Sequence, residues 1–148
     1  MAKKRMGEPW MPADEYGRSL PPFTVNLIVR DVARSAAFYR DVLGATVEYA
    51  DADFAAFQLA GLRFCVHADH TYEEHAWHGH LVSAQPRGLG AELRLRGLTP
   101  EPIEERARRW GARILQHVAD KPHGWRDVIV EDPDGYAWAV GVATEAKE

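Results

Sequence analysis

Thr24-Val25-Asn26-Leu27-Ile28-Val29 and Glu92-Leu93-Arg94-Leu95-Arg96 decide the fold, because each opens a copy of one repeated unit. In both, apolar and other residues alternate at period two, the pattern of a strand with one buried face. In the first copy Val32, Ala36, Tyr39 and Leu43 follow Asp31 at helical spacing, and Gly44 supplies a left-handed stop. In the second, Thr99 can cap, Pro100 suits the first helical position, and Ile103, Ala107 and Trp110 form the stripe before Gly111. Gly44 lies 20 residues after Thr24 and Gly111 lies 19 after Glu92, so the copies differ by one residue in a loop. Ala45-Thr46-Val47 and Ala112-Arg113-Ile114 then begin the next strands. Phe57 to Val66 aligns with Ile129 to Val140, Gly61 opposite Gly135, with two extra residues in the later turn. Each copy predicts β-α-β-β-β, and the fold class is α+β.

Working outward, the 148 residues are 46% hydrophobic and 27% charged, enough for one core but not for two large domains. The net charge of −4 leaves no basic footprint for nucleic acid. No apolar run approaches the roughly 20 residues that span a bilayer, so no membrane role is expected. A charged start, Met1 to Arg5, leads into Gly7-Glu8-Pro9-Trp10 and not into an apolar signal core, which makes the cytoplasm the default location. The single Cys65 excludes an intrachain disulfide framework.

Two segments lie outside the repeat. Residues 1–22 carry Trp10, Met11 and Tyr16 among Pro12, Pro21 and Pro22, and we expect an N-terminal arm that packs on the domain or on a partner subunit. Residues 23–148 then form a single domain: module one at 23–67, a linker at 68–90 and module two at 91–142. The linker holds His70, Tyr72, His75, Trp77, His78 and His80 and ends in Arg87-Gly88-Leu89-Gly90. Connections of this length are unusual unless they serve function or pair locally, which makes it a candidate lid.

The chain resembles the vicinal oxygen chelate superfamily of glyoxalases, extradiol dioxygenases, fosfomycin-resistance enzymes and bleomycin-binding proteins. Val29-Arg30-Asp31-Val32, Phe38-Tyr39-Arg40-Asp41-Val42-Leu43-Gly44 and Asp132-Pro133-Asp134-Gly135-Tyr136 carry the resemblance, which covers roughly residues 23–142. It implies two tandem modules whose curved mixed sheets surround a cavity, and a homodimer. It also implies a divalent metal held from the opening strand of each module and from the strand after each turn glycine. Carried over, those positions are Thr24, Cys65, Glu92 and Ala139. Ala139 cannot coordinate, and only Glu92 is a good ligand for an oxygen-preferring ion, whereas a catalytic metal needs about three protein ligands. The scaffold is kept while the metal site is lost.

Alternation from these positions adds Asn26, Ile28, Arg63, His67, Arg94, Arg96, Ala137 and Gly141 to the cavity face, and turns Val25, Leu27, Val29, Phe64, Val66, Leu93, Leu95, Trp138 and Val140 to the core. Arg63 and Arg94 can hold a planar carboxylate or phosphate, although Arg94 can equally pair with Glu92. In the loop before the third strand of module two, His123 can act as a base and Trp125 can stack on a flat ligand, or His123 can merely shape the turn. Cys65 can be a nucleophile or an inert buried thiol. The Asp-Pro-Asp-Gly turn is mechanical. These residues point to a glyoxalase or bleomycin-resistance-like protein that binds a small organic, anionic or aromatic ligand in the inter-module cavity without a cofactor. The alternative is a lyase, isomerase or dioxygenase that uses Mn, Fe, Ni or Zn on Glu92 with substitutes such as Cys65 and His67 drawn from the histidine-rich region. A third possibility is a structural or regulatory module with an empty cavity.

Overall fold

A computed structural model of the chain describes residues 4–146; the ends of the expected arm and domain, 1–3 and 147–148, lie outside the described residues. The chain divides into two compact units, one running to Arg40 and then over Ala45–Gln85, the other made of Asp41–Gly44 and the chain from Pro86 onward. The first holds α1 (Ala13–Ser19), β1 (Val25–Val29), α2 (Val32–Asp41), β2 (Thr46–Ala50), β3 (Phe54–Leu59), β4 (Leu62–Ala68), a 3₁₀ turn (Asp69–Tyr72) and α3 (His78–Leu81). The second holds β5 (Glu92–Arg96), α4 (Pro100–Trp110), β6 (Ile114–Asp120), β7 (Trp125–Glu131) and β8 (Ala137–Ala143).

The repeat expected from the sequence is present in the topology. The sheets run β1-β4-β3-β2 and β5-β8-β7-β6, and in each the opening strand pairs parallel with the last while the other pairs are antiparallel. The parallel pair follows from the connections: α2 and α4 carry the chain from the opening strand at one edge to β2 or β6 at the other, and two tight turns then bring β4 or β8 back beside the opening strand in the same direction. The helix of each copy, α2 and α4, ends as its glycine dictates. At Gly44, φ 79, the Ala45 N–H donates to Tyr39 O at 2.9 Å, and Gly111 caps α4 at φ 81. Asp31 Oδ1 accepts the Arg34 N–H at 3.2 Å and starts α2. Thr99 stands at the cap of α4, but its side chain makes no capping bond.

Alternation assigns the faces. In the first unit Tyr39 of α2 meets Phe57 and Phe64 edge-on with centroids 5.2 and 5.1 Å apart, so these strand residues face the helix. All three are fully buried. In the second, Val128, Val130, Trp138 and Val140 are fully buried beside Ile103 and Ala107 of α4, and Arg126 on the same face of β7 donates to Glu101 of α4 at 2.7 Å. Each such side chain contributes about 1.5–3 kcal/mol on burial. The Asp-Pro-Asp-Gly turn spends its chemistry on itself: Asp132 Oδ1 accepts the N–H groups of Asp134, Gly135 and Tyr136 at 3.0–3.1 Å, and Oδ2 accepts the Trp138 indole at 3.3 Å.

Candidate functional site

The strand faces turned away from α2 and α4 carry the candidate residues, and the two modules treat those faces differently. In module one the parallel register sets Asn26 beside Cys65 and Ile28 beside His67, while β3 brings Ala56 to Cys65 and Phe54 to His67. This face is covered by the chain's own flanking segments. Ile28 is 1% exposed beneath Tyr72 and Leu81 of the linker. Phe54, Ala56 and Cys65 are buried with Tyr16 of α1 and Tyr49 packed against them. The arm therefore packs on its own module.

Polar groups on this face are committed to the same covering. Asn26 Nδ2 donates to the Tyr72 hydroxyl at 2.7 Å, and Asn26 Oδ1 accepts the Cys65 thiol at 3.4 Å and His67 Nδ1 at 2.6 Å. Cys65 and His67 thus converge on an amide oxygen. Arg63 donates to Ser19 O at the end of α1 at 3.0 Å and lies 3.5 Å from Glu48. The half-buried Thr24 stands just before β1. Of the linker histidines, His70 bonds Asp53 at 2.6 Å and His75 sits between the rings of Tyr72 and Trp77.

Module two orders the corresponding face in rows. Its three rows across the sheet are Glu92-Ala137-Glu131, Arg94-Ala139-Ile129 and Arg96-Gly141-Asp127. The β8 residues of these rows are small, and Ala139 is buried at 1% exposure. At Gly141 no side chain fits, because an added Cβ would stand 2.0 Å from Arg126 O. Arg94 Nε donates to Glu92 Oε1 at 2.8 Å. Arg96 has no such partner among the described residues.

On the far side of these rows the β6–β7 hairpin gathers residues that strand periodicity did not single out. The Asp127 side chain is 3% exposed, with Lys121 Nζ 2.5 Å from Oδ1 and His123 Nε2 3.7 Å from Oδ2. The Trp125 ring lies 5.8 Å from His123. A carboxylate buried this deeply needs a cation, and Lys121 supplies it. The sequence signal was available, since Lys121, His123, Trp125 and Asp127 alternate by two, but a hairpin break after Asp120 hides the register.

The donor set does not fit the family's metal. Within module one the thiol is spent on Asn26, and within module two Glu92 is spent on Arg94 and Ala139 has no donor atom. Among the described residues no group of three or more His, Cys, Asp or Glu side chains is placed to hold an ion.

Comparison with known proteins bears out the resemblance. Residues 23–59 match the family model described as bleomycin resistance protein-like N-terminal. No curated protein matches the chain. Among solved structures, a glyoxalase-related enzyme from Fulvimarina pelagi is 23% identical, with 83% of this chain and 88% of that chain covered at a TM-score of 0.65. A glyoxalase/bleomycin resistance protein/dioxygenase family enzyme from Burkholderia phytofirmans is 18% identical over 81% of this chain and 96% of that one, also at 0.65. The fosfomycin resistance protein FosX from Mesorhizobium loti is 15% identical over 84% and 92%, at 0.58. The fold is that of the vicinal oxygen chelate superfamily, with α+β architecture and two four-stranded mixed sheets. No helix among the described residues is long and apolar enough to cross a membrane.

Proposed function

We propose that the protein binds a small organic anion with a flat apolar body in a trough across the β8 face of module two, without a divalent metal of the family's kind. The observation that carries this is the row Arg96-Gly141-Asp127 beside Arg94-Ala139-Ile129: small residues on the central strand, a cation on one flank, and Trp125, Ile129 and His123 on the other. Strands two apart are separated by about 10 Å, the width of a fused aromatic ring bearing a carboxylate. Arg96 meets the acid group bidentately and Trp125 stacks on the ring. Arg94 and Glu92 form the rim. His123, oriented by Asp127, is placed to hold or take a proton at the ligand's edge. We further propose that the chain works as a homodimer in the cytoplasm, which sedimentation and cell fractionation test.

The experiment is a thermal shift of chelator-free protein with 2-naphthoate, paired with metal analysis. Wild type is stabilised, by about 2.7 kcal/mol at a hundredfold excess over Kd, and Arg96→Glu and Trp125→Ala lose the shift. Near-stoichiometric Mn, Fe, Ni or Zn that disappears with Glu92→Ala would sink this reading in favour of a metal-dependent lyase, isomerase or dioxygenase.

A further inference from the structure

The N-terminal arm holds itself on module one like a ligand and not like part of the core. It is tied at both ends. Asp53, 1% exposed, accepts the N–H groups of Met6 and Gly7 at 2.8 and 3.1 Å, and Arg63 holds Ser19 O. Between these ties the arm lays two rings on the sheet: Trp10 stacks on Tyr49 at 5.0 Å with the planes 2° apart, and Tyr16 stands edge-on to Phe54 at 5.2 Å. Yet α1 has seven residues, none of them buried, and no side-chain cap at Pro12. A helix this short is not stable alone. What lies beneath is the reverse, since Phe54, Ala56 and Cys65 are only 6%, 1% and 5% exposed. A short helix with no buried residue of its own, laid over a deeply buried face, is the kind of segment that opens locally at less cost than the whole domain.

The covered face also carries polar atoms that the arm leaves unsatisfied. Arg63 Nε and Glu48 Oε1 are buried, 3.5 Å apart, and neither makes a hydrogen bond among the described residues. One hydroxyl would satisfy both, accepting from Arg63 and donating to Glu48. Tyr16 brings a phenol into this neighbourhood. Burial first, then the adjacent Cys65, push that phenol well above the ordinary tyrosine range while Arg63 pulls it down, so the group is held neutral as a donor.

We propose that Trp10 and Tyr16 are an intramolecular occupant of a hydroxyaryl-binding site on module one, and that a free planar aryl alcohol displaces the arm to bind across Tyr49, Phe54 and Cys65 with its hydroxyl between Arg63 and Glu48. This site is separate from the trough of module two and from the anion expected there. The arm sets its affinity, because a ligand must first open it.

Cys65 is the chain's only cysteine and lies under the arm, so its reaction with a disulfide reagent reports opening in the full-length protein. Each lost ring pair weakens closure, and Trp10→Ala, at a residue 37% exposed, is expected to speed labelling about fivefold. Trp10→Ala with Tyr16→Ala should reach about thirtyfold, equivalent to about 2 kcal/mol at 1.4 per decade. In both variants 2-naphthol should restore protection of Cys65, and should bind the double variant more tightly than wild type. 2-Methylnaphthalene, which lacks the hydroxyl, should protect at least about tenfold less well. Unchanged labelling in Trp10→Ala at unchanged urea stability overturns the arm as cover. Faster labelling that 2-naphthol does not slow overturns the site, and equal protection by the two aryl probes overturns the role of Arg63 and Glu48. None of these three results bears on 2-naphthoate and Arg96, so failure here is distinguishable from failure in module two.

Discussion

Replacing Asp127 with Asn keeps the side-chain shape and removes one buried charge. The carboxylate is 3% exposed and Lys121, which faces it at 2.5 Å, is 17% exposed, so the variant strands an ammonium whose other partner is Gln116 Oε1 at 3.0 Å. Removing one member of a buried pair costs about 3–5 kcal/mol, and because Lys121 keeps Gln116 and some water the lower end applies, about 3 kcal/mol. A domain has only about 5–15 kcal/mol in total. With a urea slope of about 2 kcal/mol/M, the midpoint falls by about 1.5 M at unchanged slope. Tryptophan fluorescence in urea reads this directly. The double variant Lys121→Met with Asp127→Leu removes both charges together and is expected within about 1 kcal/mol of wild type. Asp127→Asn should also loosen His123, whose Nε2 lies 3.7 Å from Oδ2, and weaken naphthoate binding. If Asp127→Asn shifts the midpoint by less than about 0.3 M, or if the double variant falls as far as the single one, the carboxylate is not acting as a buried counter-charge.

Two further outcomes follow from other sites. Burial alone would raise the Asp53 carboxyl pKa, but bonds from His70, Met6 and Gly7 and the nearby Arg5 outweigh it and hold it below the ordinary range. Its stabilisation is therefore full above the unfolded value of about 3.9 and is lost as pH falls through the lower folded value. The stability gap between wild type and Asp53→Asn should shrink below about pH 4, and a gap constant from pH 7 to 3 contradicts this. Gly141→Ala would set a Cβ 2.0 Å from Arg126 O and 2.7 Å from Asp127 Cα, so β7 and β8 must part. The expected cost is about 3 kcal/mol, or a Tm lower by about 10 °C, and a calorimetric Tm within about 2 °C of wild type would refute the clash.

The sequence by itself determined the repeat, because its causes are local. Period-two alternation at residues 24–29 and 92–96, the glycines at 44 and 111 and the turns at 61 and 135 act within a few residues of chain, and each copy states them again. The faces of the strands followed from the same periodicity, down to Trp138 in the core and Ala139 opposite. Missing donors at Ala139 were legible too, since an alanine lacks a ligand atom in any fold.

Only the tertiary structure decided what stands against those faces. Ile28 looked like a lining residue and is sealed by Tyr72 and Leu81, 44 and 53 positions later in the chain. Arg63 looked like an anion binder and instead ties down Ser19, 44 positions earlier. The Lys121, His123 and Asp127 cluster is close in sequence, but the hairpin turn between β6 and β7 decides that these side chains meet. Alternation says which way a side chain points; the partner it meets is fixed by long-range packing, which the strand's own residues do not encode.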